Sequence, residues 1–208
     1  IIGATGAVGR EILEEVLEKE FYKKVYVLGR SSVTKLMDNE KLEKIVVDFE
    51  NLEFDINILN NADVFAALGT TIKIAKTKEN QRKIDLGYTI NFAKMCEGRV
   101  KSFNVVSAIA ANSRSKSFYS SLKGELEEQL QKMNLGTLRI YRPSLLIAKR
   151  VDKRMMEGFF IKLSPILKFI LHGKFKKYSP IEVELLGKEM VRFAIENKGE
   201  KTYTYNDF

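Results

Sequence analysis

The chain has 208 residues, of which 45% are apolar and 30% charged, with a formal net charge of +8. That balance suits a folded domain burying roughly 70% of its unfolded surface, and it excludes a disordered or collagen-like chain. One cysteine, Cys96, excludes an intrachain disulfide, and one histidine, His172, leaves neither a His-rich metal site nor a Ser-His-Asp triad to assemble.

No apolar run approaches the ~20 residues of a membrane helix. No signal peptide stands ahead of Ile1, and the thiol usage suits a reducing compartment, so a cytoplasmic protein is expected. The positive charge fits the phosphates of a dinucleotide. With no helix-turn-helix, zinc-finger or RNA-binding signature, nucleic acid is not an expected partner.

Apolar runs of strand length alternate with helical stripes, the pattern of a parallel sheet covered by helices on both faces. Ile1 and Ile2 end the first strand; a buried parallel strand usually takes about 4–8 residues, so this one is expected to begin a little upstream. Val8, Ile12, Leu13, Val16 and Leu17 mark one face of the helix that follows. Strands are predicted at residues 24–28, 44–48 and 63–68. Ile84, Tyr88, Phe92 and Met95 stripe a second helix before a strand at 102–107. Leu122, Leu126, Leu130 and Met133 stripe a third before a strand at 137–141.

Met155–Leu171 carries a wide apolar stripe broken by Lys162 and Lys168, and Pro165 is placed to kink it. The segment reads as a lid over a substrate pocket, the favoured reading, or as an amphipathic surface for a membrane or protein partner. Lys174, Lys176 and Lys177 sustain the second reading. Val183, Leu186, Met190 and Phe193 stripe a last helix, and residues 202–205 make a last strand. The expectation is an α/β protein with a three-layer Rossmann fold: a single domain over residues 1–208, a doubly wound parallel sheet of about seven strands, and a small C-terminal helical lid.

Gly3-Ala4-Thr5-Gly6-Ala7-Val8-Gly9 stands between the first strand and its helix. Gly3 permits the tight turn, Gly6 lets the backbone approach a pyrophosphate at the positive end of the helix, and Gly9 permits close packing of helix on sheet. Thr5, Ala7 and Val8 complete this cradle. Arg30, ending the second strand, is the residue type that meets the 2′-phosphate of NADP(H), where an acidic residue would favour NAD(H). Arg10, Ser31 and Ser32 stand ready to help it. Asp48 and Phe49 end the third strand, where Asp48 is placed to accept a bond from the adenine amino group. Leu68, Gly69 and Thr70 end the fourth, beside the adenine-side ribose. All lie at carboxyl ends of strands, where open α/β sheets bind ligands.

Tyr119 and Lys123 are four apart on a predicted helix, hence on one face. Leu122, Leu126 and Leu130 bury the opposite side and aim the pair at the cleft edge. An ammonium beside a phenol lowers its pKa from about 10, so Tyr119 can exchange a proton with a carbonyl or alcohol oxygen. Lys123 can also hold the nicotinamide ribose, and Ser107, ending the fifth strand, can hydrogen-bond the substrate oxygen. Cys96 and His172 are read as structural.

GATGAVGR (residues 3–10), VVDFE (46–50), LGTT (68–71), FNVVS (103–107), FYSSLKGELE (118–127) and YRPSLL (141–146) together resemble the short-chain dehydrogenase/reductase superfamily. The resemblance is to its atypical and extended branches, and most of all to the Tat-interacting-protein-like oxidoreductases. It implies a seven-stranded parallel sheet, an NADP-type cofactor, a catalytic set of Ser107, Tyr119 and Lys123, and Pro143 and Ser144 bordering the nicotinamide. One departure is Ser107-Ala108, where relatives often carry two serines. The expected function is hydride transfer between NADP(H) and a carbonyl or alcohol. The alternatives are a non-catalytic NADP(H) sensor or interaction protein and, with so short a chain after Pro143, less readily a nucleotide-sugar epimerase or dehydratase.

Overall fold

In the computed structural model, which describes residues 1–147 and 179–207, the sheet is organised around Ile2. On one side of it lies β1 (Val25–Gly29), paired in parallel with β2 (Leu42–Val46). On the other lie β3 (Asp63–Ala66), β4 (Ser102–Val106) and β5 (Thr137–Tyr141), each parallel to the next. A short parallel pair, β6 (Leu146–Ile147) and β7 (Ile181–Glu182), stands apart. β8 (Lys201–Tyr203) then adds to β5.

Ile2 bridges Leu28 and Ala66, its N–H donating to Phe65 O and its carbonyl accepting from Ala67 N–H, both at 3.0 Å. The order is therefore β2-β1-Ile2-β3-β4-β5-β8, wound outward first one way and then the other, with the reversal at Ile2. The expected count of about seven strands is corrected here. Six strands form this sheet among the described residues, and Ile2 joins it as a bridge between β1 and β3.

Successive strand residues face opposite sides of a sheet, and the two sides carry separate cores. α1 (Ala7–Glu18) and α6 (Val183–Ile195) cover one, setting Ile12, Leu13, Val16, Leu186, Met190 and Phe193 against Val27, Phe65, Tyr141 and Tyr203. α4 (Thr89–Cys96) and α5 (Phe118–Leu130) cover the other, setting Ile90, Phe92, Leu122, Leu126 and Leu130 against Leu28, Ala66, Phe103, Val105 and Ile140.

Two short helices, α2 (Ile72–Ala75) and α3 (Lys78–Arg82), precede α4, and a π turn over Lys83–Tyr88 joins α3 to it. A π turn adds a residue and shifts the helical phase. The predicted stripe is corrected accordingly: Leu86, Ile90, Phe92, Ala93 and Cys96 are buried, while Ile84 is only half-buried. Gln81, near the end of α3, and Asp85, on the π turn, are buried as well.

Three strands end two residues short of expectation. The third strand stops at Val46, and Asp48 instead bridges back to Asn51; the fourth stops at Ala66; the last runs Lys201–Tyr203, with Tyr205 opening a 3-10 turn. Burial pushes the Cys96 thiol up to about 12, which keeps it a packing group. The predicted lid at Met155–Leu171, His172 and the lysines at 174, 176 and 177 lie outside the described residues. Among the described residues no helix is long and apolar enough to cross a membrane.

Candidate active site

Parallel strands present all their carboxyl ends at one edge, and the reversal at Ile2 opens a crevice there. The chain leaves Ile2 into Gly3, which adopts φ +84°. A Cβ at Gly3 would stand 2.5 Å from the Ala67 carbonyl carbon and 2.7 Å from Leu68 N, so no side chain fits between the turn and the end of β3. A Cβ at Gly9 would stand 2.1 Å from Gly3 O, which makes Gly9 the residue that lets α1 sit on its own turn. Gly6 caps α1, its N–H donating to Gly3 O at 2.9 Å and its carbonyl accepting from Arg10 N–H at 3.0 Å. No side chain caps this helix end, and no acidic residue lies in its first turn. Thr5 and Ala7 are half-buried and Val8 is buried. A bare, positively polarised helix start beside a turn closed to side chains fits a pyrophosphate.

Arg30, Ser31 and Ser32 are exposed beyond β1, on the flank of that crevice, as is Arg10. Asp48 is exposed and closes its own turn, accepting from Glu50 N–H at 2.9 Å. Phe49 is buried and stacks on Tyr88 with ring centroids 5.3 Å apart. Leu68 and Thr70 are half-buried past β3, and Gly69 is exposed.

Thr70 leads to a residue the sequence reading missed. Its N–H donates to Asp85 Oδ1 at 2.7 Å, and Gln81 Nε2 donates to its carbonyl at 3.0 Å, so α3 and the π turn together hold the loop after β3. Burial raises the Asp85 carboxyl to about 6, against the opposing pull of Lys123 and of the Thr70 N–H. Lys123, on α5, is 3% exposed; its Nζ donates to Val106 O at 3.3 Å, and burial lowers its pKa while Asp85 and Glu127 raise it. Tyr119, one turn earlier, is half-buried, with its phenol pushed well above the usual range by burial and then by Asp85. Of the pair expected to activate each other, Lys123 is thus buried and Tyr119 half-buried.

Ser107 is buried at the end of β4, with its N–H donating to Tyr141 O at 2.7 Å. Its hydroxyl donates to Glu127, a buried carboxylate that also pairs with Arg142, whose Nε lies 2.9 Å from Glu127 Oε1. In this arrangement the Ser107 proton faces Glu127 and not a substrate oxygen. The periodicity contained a sign of this: Tyr119, Lys123 and Glu127 are four apart and share a face. Asp85 carried no such sign, because only the π turn brings it inward. Pro143 is buried, its carbonyl accepting from Ile109 N–H at 2.9 Å, and the Ser144 hydroxyl donates to Ser179 O.

A cavity of about 500 Å³ opens at the other edge of the sheet, lined by Tyr22, Lys24, Tyr26, Asp63, Phe65 and Lys101 among others. It lies at amino ends of strands and includes none of the residues above, so the crevice at Gly3 is the better site despite the cavity's size. Among the described residues no cluster of His, Cys, Asp and Glu is arranged to hold a metal.

Residues 3–139 match an NAD(P)H-binding family model. Protein HTATIP2 of Rattus norvegicus is 31% identical over 159 residues, covering 74% of this chain and 64% of that protein. Protein FMP52-1, mitochondrial, of Scheffersomyces stipitis is 30% identical over 220 residues, covering 100% of this chain and 90% of that protein. Protein FMP52, mitochondrial, of Debaryomyces hansenii is 31% identical, covering 94% and 87%.

Among solved structures, the KRED1-Pglu enzyme superposes with a TM-score of 0.62 at 18% identity over 98% of each chain. A UDP-N-acetylglucosamine 4-epimerase from Methanobrevibacter ruminantium gives 0.69 at 18% identity, over 99% of this chain and 77% of that one. These two share the fold.

The expectation of a cytoplasmic protein is overturned by the fungal relatives, which are named mitochondrial. A lone buried cysteine shows only that no disulfide is needed and carries no address. With its glycine turn, its parallel sheet reversing at Ile2 and these relatives, the chain belongs to the NAD(P)H-binding family of Rossmann folds, within the atypical short-chain dehydrogenase/reductase superfamily.

Proposed function

We propose that the protein is an NADP(H)-dependent oxidoreductase that moves a hydride between the nicotinamide and a small carbonyl or alcohol. One observation carries this reading: the glycine turn lies against the loop after β3, and that loop is bonded to the π turn that packs on α5, the helix of Tyr119 and Lys123. Gly3 abuts Ala67 and Leu68, and Thr70 N–H donates to Asp85 on the π turn. A dinucleotide whose pyrophosphate rests on Gly3, Thr5, Gly6, Ala7, Val8 and Gly9 would run past Leu68, Gly69 and Thr70 toward Tyr119, with Pro143 and Ser144 bordering its far end.

The bound dinucleotide supplies or accepts the hydride. The chain supplies the rest: Tyr119 gives or takes the proton at the substrate oxygen, and Lys123 favours the charged forms and holds the ribose. Ser107 would join them by turning its hydroxyl from Glu127 to the substrate. Arg30, exposed with Ser31 and Ser32 beyond β1, is the group for the 2′-phosphate, with Asp48 and Phe49 on the adenine side.

The Ser107–Glu127 bond favours a second reading, a dinucleotide sensor without turnover, because it engages the hydroxyl that would orient a substrate. Titration with NADPH and NADH, followed by nucleotide fluorescence, separates the outcomes. NADPH should bind more tightly than NADH, and Arg30→Ala should cost about tenfold or more for NADPH alone, the loss of one charge-assisted phosphate contact. Equal affinities, unmoved by Arg30→Ala, would refute the NADP assignment. Binding without turnover across a panel of aldehydes and ketones would favour the sensor, and no binding of either nucleotide would end both readings.

A further inference from the structure

Glu127 shares a face of α5 with Tyr119 and Lys123 and is 2% exposed. That face meets the carboxyl end of β4 at two successive residues: Lys123 Nζ donates to Val106 O at 3.3 Å, and Glu127 accepts from the Ser107 hydroxyl. Arg142, the first residue past β5, donates through Nε to Glu127 Oε1 at 2.9 Å and to Oε2 at 3.1 Å, and through Nη2 to Oε2. A two-point guanidinium contact offsets the cost of burying a carboxylate. Arg142 is itself anchored, its N–H donating to Tyr203 O at 2.8 Å.

A serine hydroxyl carries one proton and two lone pairs. At Ser107 the proton is committed to Glu127, so what the oxygen has left to offer is an acceptor. An alcohol presents an O–H and can be held by such an acceptor; a carbonyl oxygen presents only lone pairs and cannot. To donate to a carbonyl the hydroxyl must turn, which sets a serine lone pair against the Glu127 carboxylate and gives up a charge-assisted bond.

Building on the oxidoreductase reading, we propose that Glu127, clamped by Arg142, is the positioning residue that makes Ser107 tell an alcohol from a carbonyl. With the Glu127 carboxylate beside it, Ser107 accepts from the substrate in its alcohol form and adds little to the binding of the carbonyl. Glu127 touches neither substrate nor dinucleotide in this role; it acts through the direction of one hydroxyl. In Glu127→Gln the Arg142 guanidinium takes the amide oxygen, since it has no acceptor for an amide N–H, and the Nε2 group is left against Ser107. The bond between the two residues then reverses: Ser107 accepts from the amide, and its proton is released toward the substrate.

The test compares KM for a carbonyl and for its own alcohol at saturating nucleotide, using the fastest member of an aldehyde and ketone panel that starts with benzaldehyde and benzyl alcohol. Ser107→Ala should raise the alcohol KM about fivefold, the worth of one hydrogen bond, and the carbonyl KM by less than about twofold. Glu127→Gln should raise the alcohol KM and lower the carbonyl KM, each by about fivefold. In the Ser107→Ala background it should move neither. Proportional changes in both KM values, or an effect of Glu127→Gln that persists without Ser107, would make Glu127 a structural carboxylate and overturn the proposal. So would a Ser107→Ala variant in which the carbonyl loses as much as the alcohol, a result that stands even if Glu127→Gln fails to fold. Either outcome, obtained with a wild type that turns over, leaves the oxidoreductase reading intact. No turnover across the panel ends that reading and this proposal together.

Discussion

At the residue scale the site is governed by which charges are buried together. Tyr119→Phe removes the exchangeable proton and little else, so turnover should fall about 10²–10⁴-fold, the usual worth of a general acid–base group. NADPH affinity should stay within a factor of about three; parallel losses in binding and turnover would instead mean a structural tyrosine.

Asp85 also leaves a mark on stability. Its folded pKa, about 6, lies above the ordinary 3.8, so the native state binds its proton more tightly than the unfolded chain does. Its contribution is then full below about pH 4 and is lost as pH rises through 6, about 3 kcal/mol in all. Denaturant titrations across that window should show a downward slope in the wild type that is missing in Asp85→Asn. An equal slope in both proteins would assign it to other groups. Ser107 marks the boundary of what residue types can tell. Its place at the end of a strand was legible, but its bond to Glu127 depends on where a second helix and Arg142 bring their side chains.

At the element scale, agreement between sequence and structure follows the regularity of each element. α1 and α6 bury the stripes their sequences carry, Ile12, Leu13 and Val16 against Leu186, Met190 and Phe193, because unbroken 3.6-residue helices preserve their phase. The helical run from Lys78 to Cys96 does not, because a π turn changes the phase midway, and nothing in a periodicity count announces it. The same turn brings Asp85 inward, so the missed stripe and the missed site residue have one cause.

The α1–α6 contact depends on Gly187, where a Cβ would stand 2.7 Å from Glu11 Cβ and 3.1 Å from Ile12 N. Alanine in place of glycine normally gains about 0.5–1 kcal/mol in a helix, while forcing packed backbones apart costs about 1–3 kcal/mol. The clash should win, and Gly187→Ala should lower unfolding stability by about 1–2 kcal/mol. A variant as stable as wild type would mean that the two helices slide apart freely.

At the scale of the whole molecule, the question is how two half-sheets behave as one body. The alternation of strands and helices made the layered parallel fold legible, and the glycine turn marked where the halves meet. β1 meets β3 across Ile1 and Ile2: Leu28 N–H donates to Ile1 O, Ile2 N–H donates to Phe65 O, Ala67 N–H donates to Ile2 O, and the fully buried Ile2 side chain packs in the core beneath α4 and α5. Ile2→Ala keeps the backbone bridge and removes only side-chain packing, at an expected cost of about 2–5 kcal/mol. If the halves are cooperative, far-ultraviolet circular dichroism and tyrosine fluorescence should still report one coincident unfolding transition, moved to lower denaturant. Separated transitions would mean that Ile2 packing is what makes the halves fold together. The glycine turn, which follows Ile2 directly, would then lose its geometry with the first of them, and nucleotide affinity should disappear at that earlier midpoint.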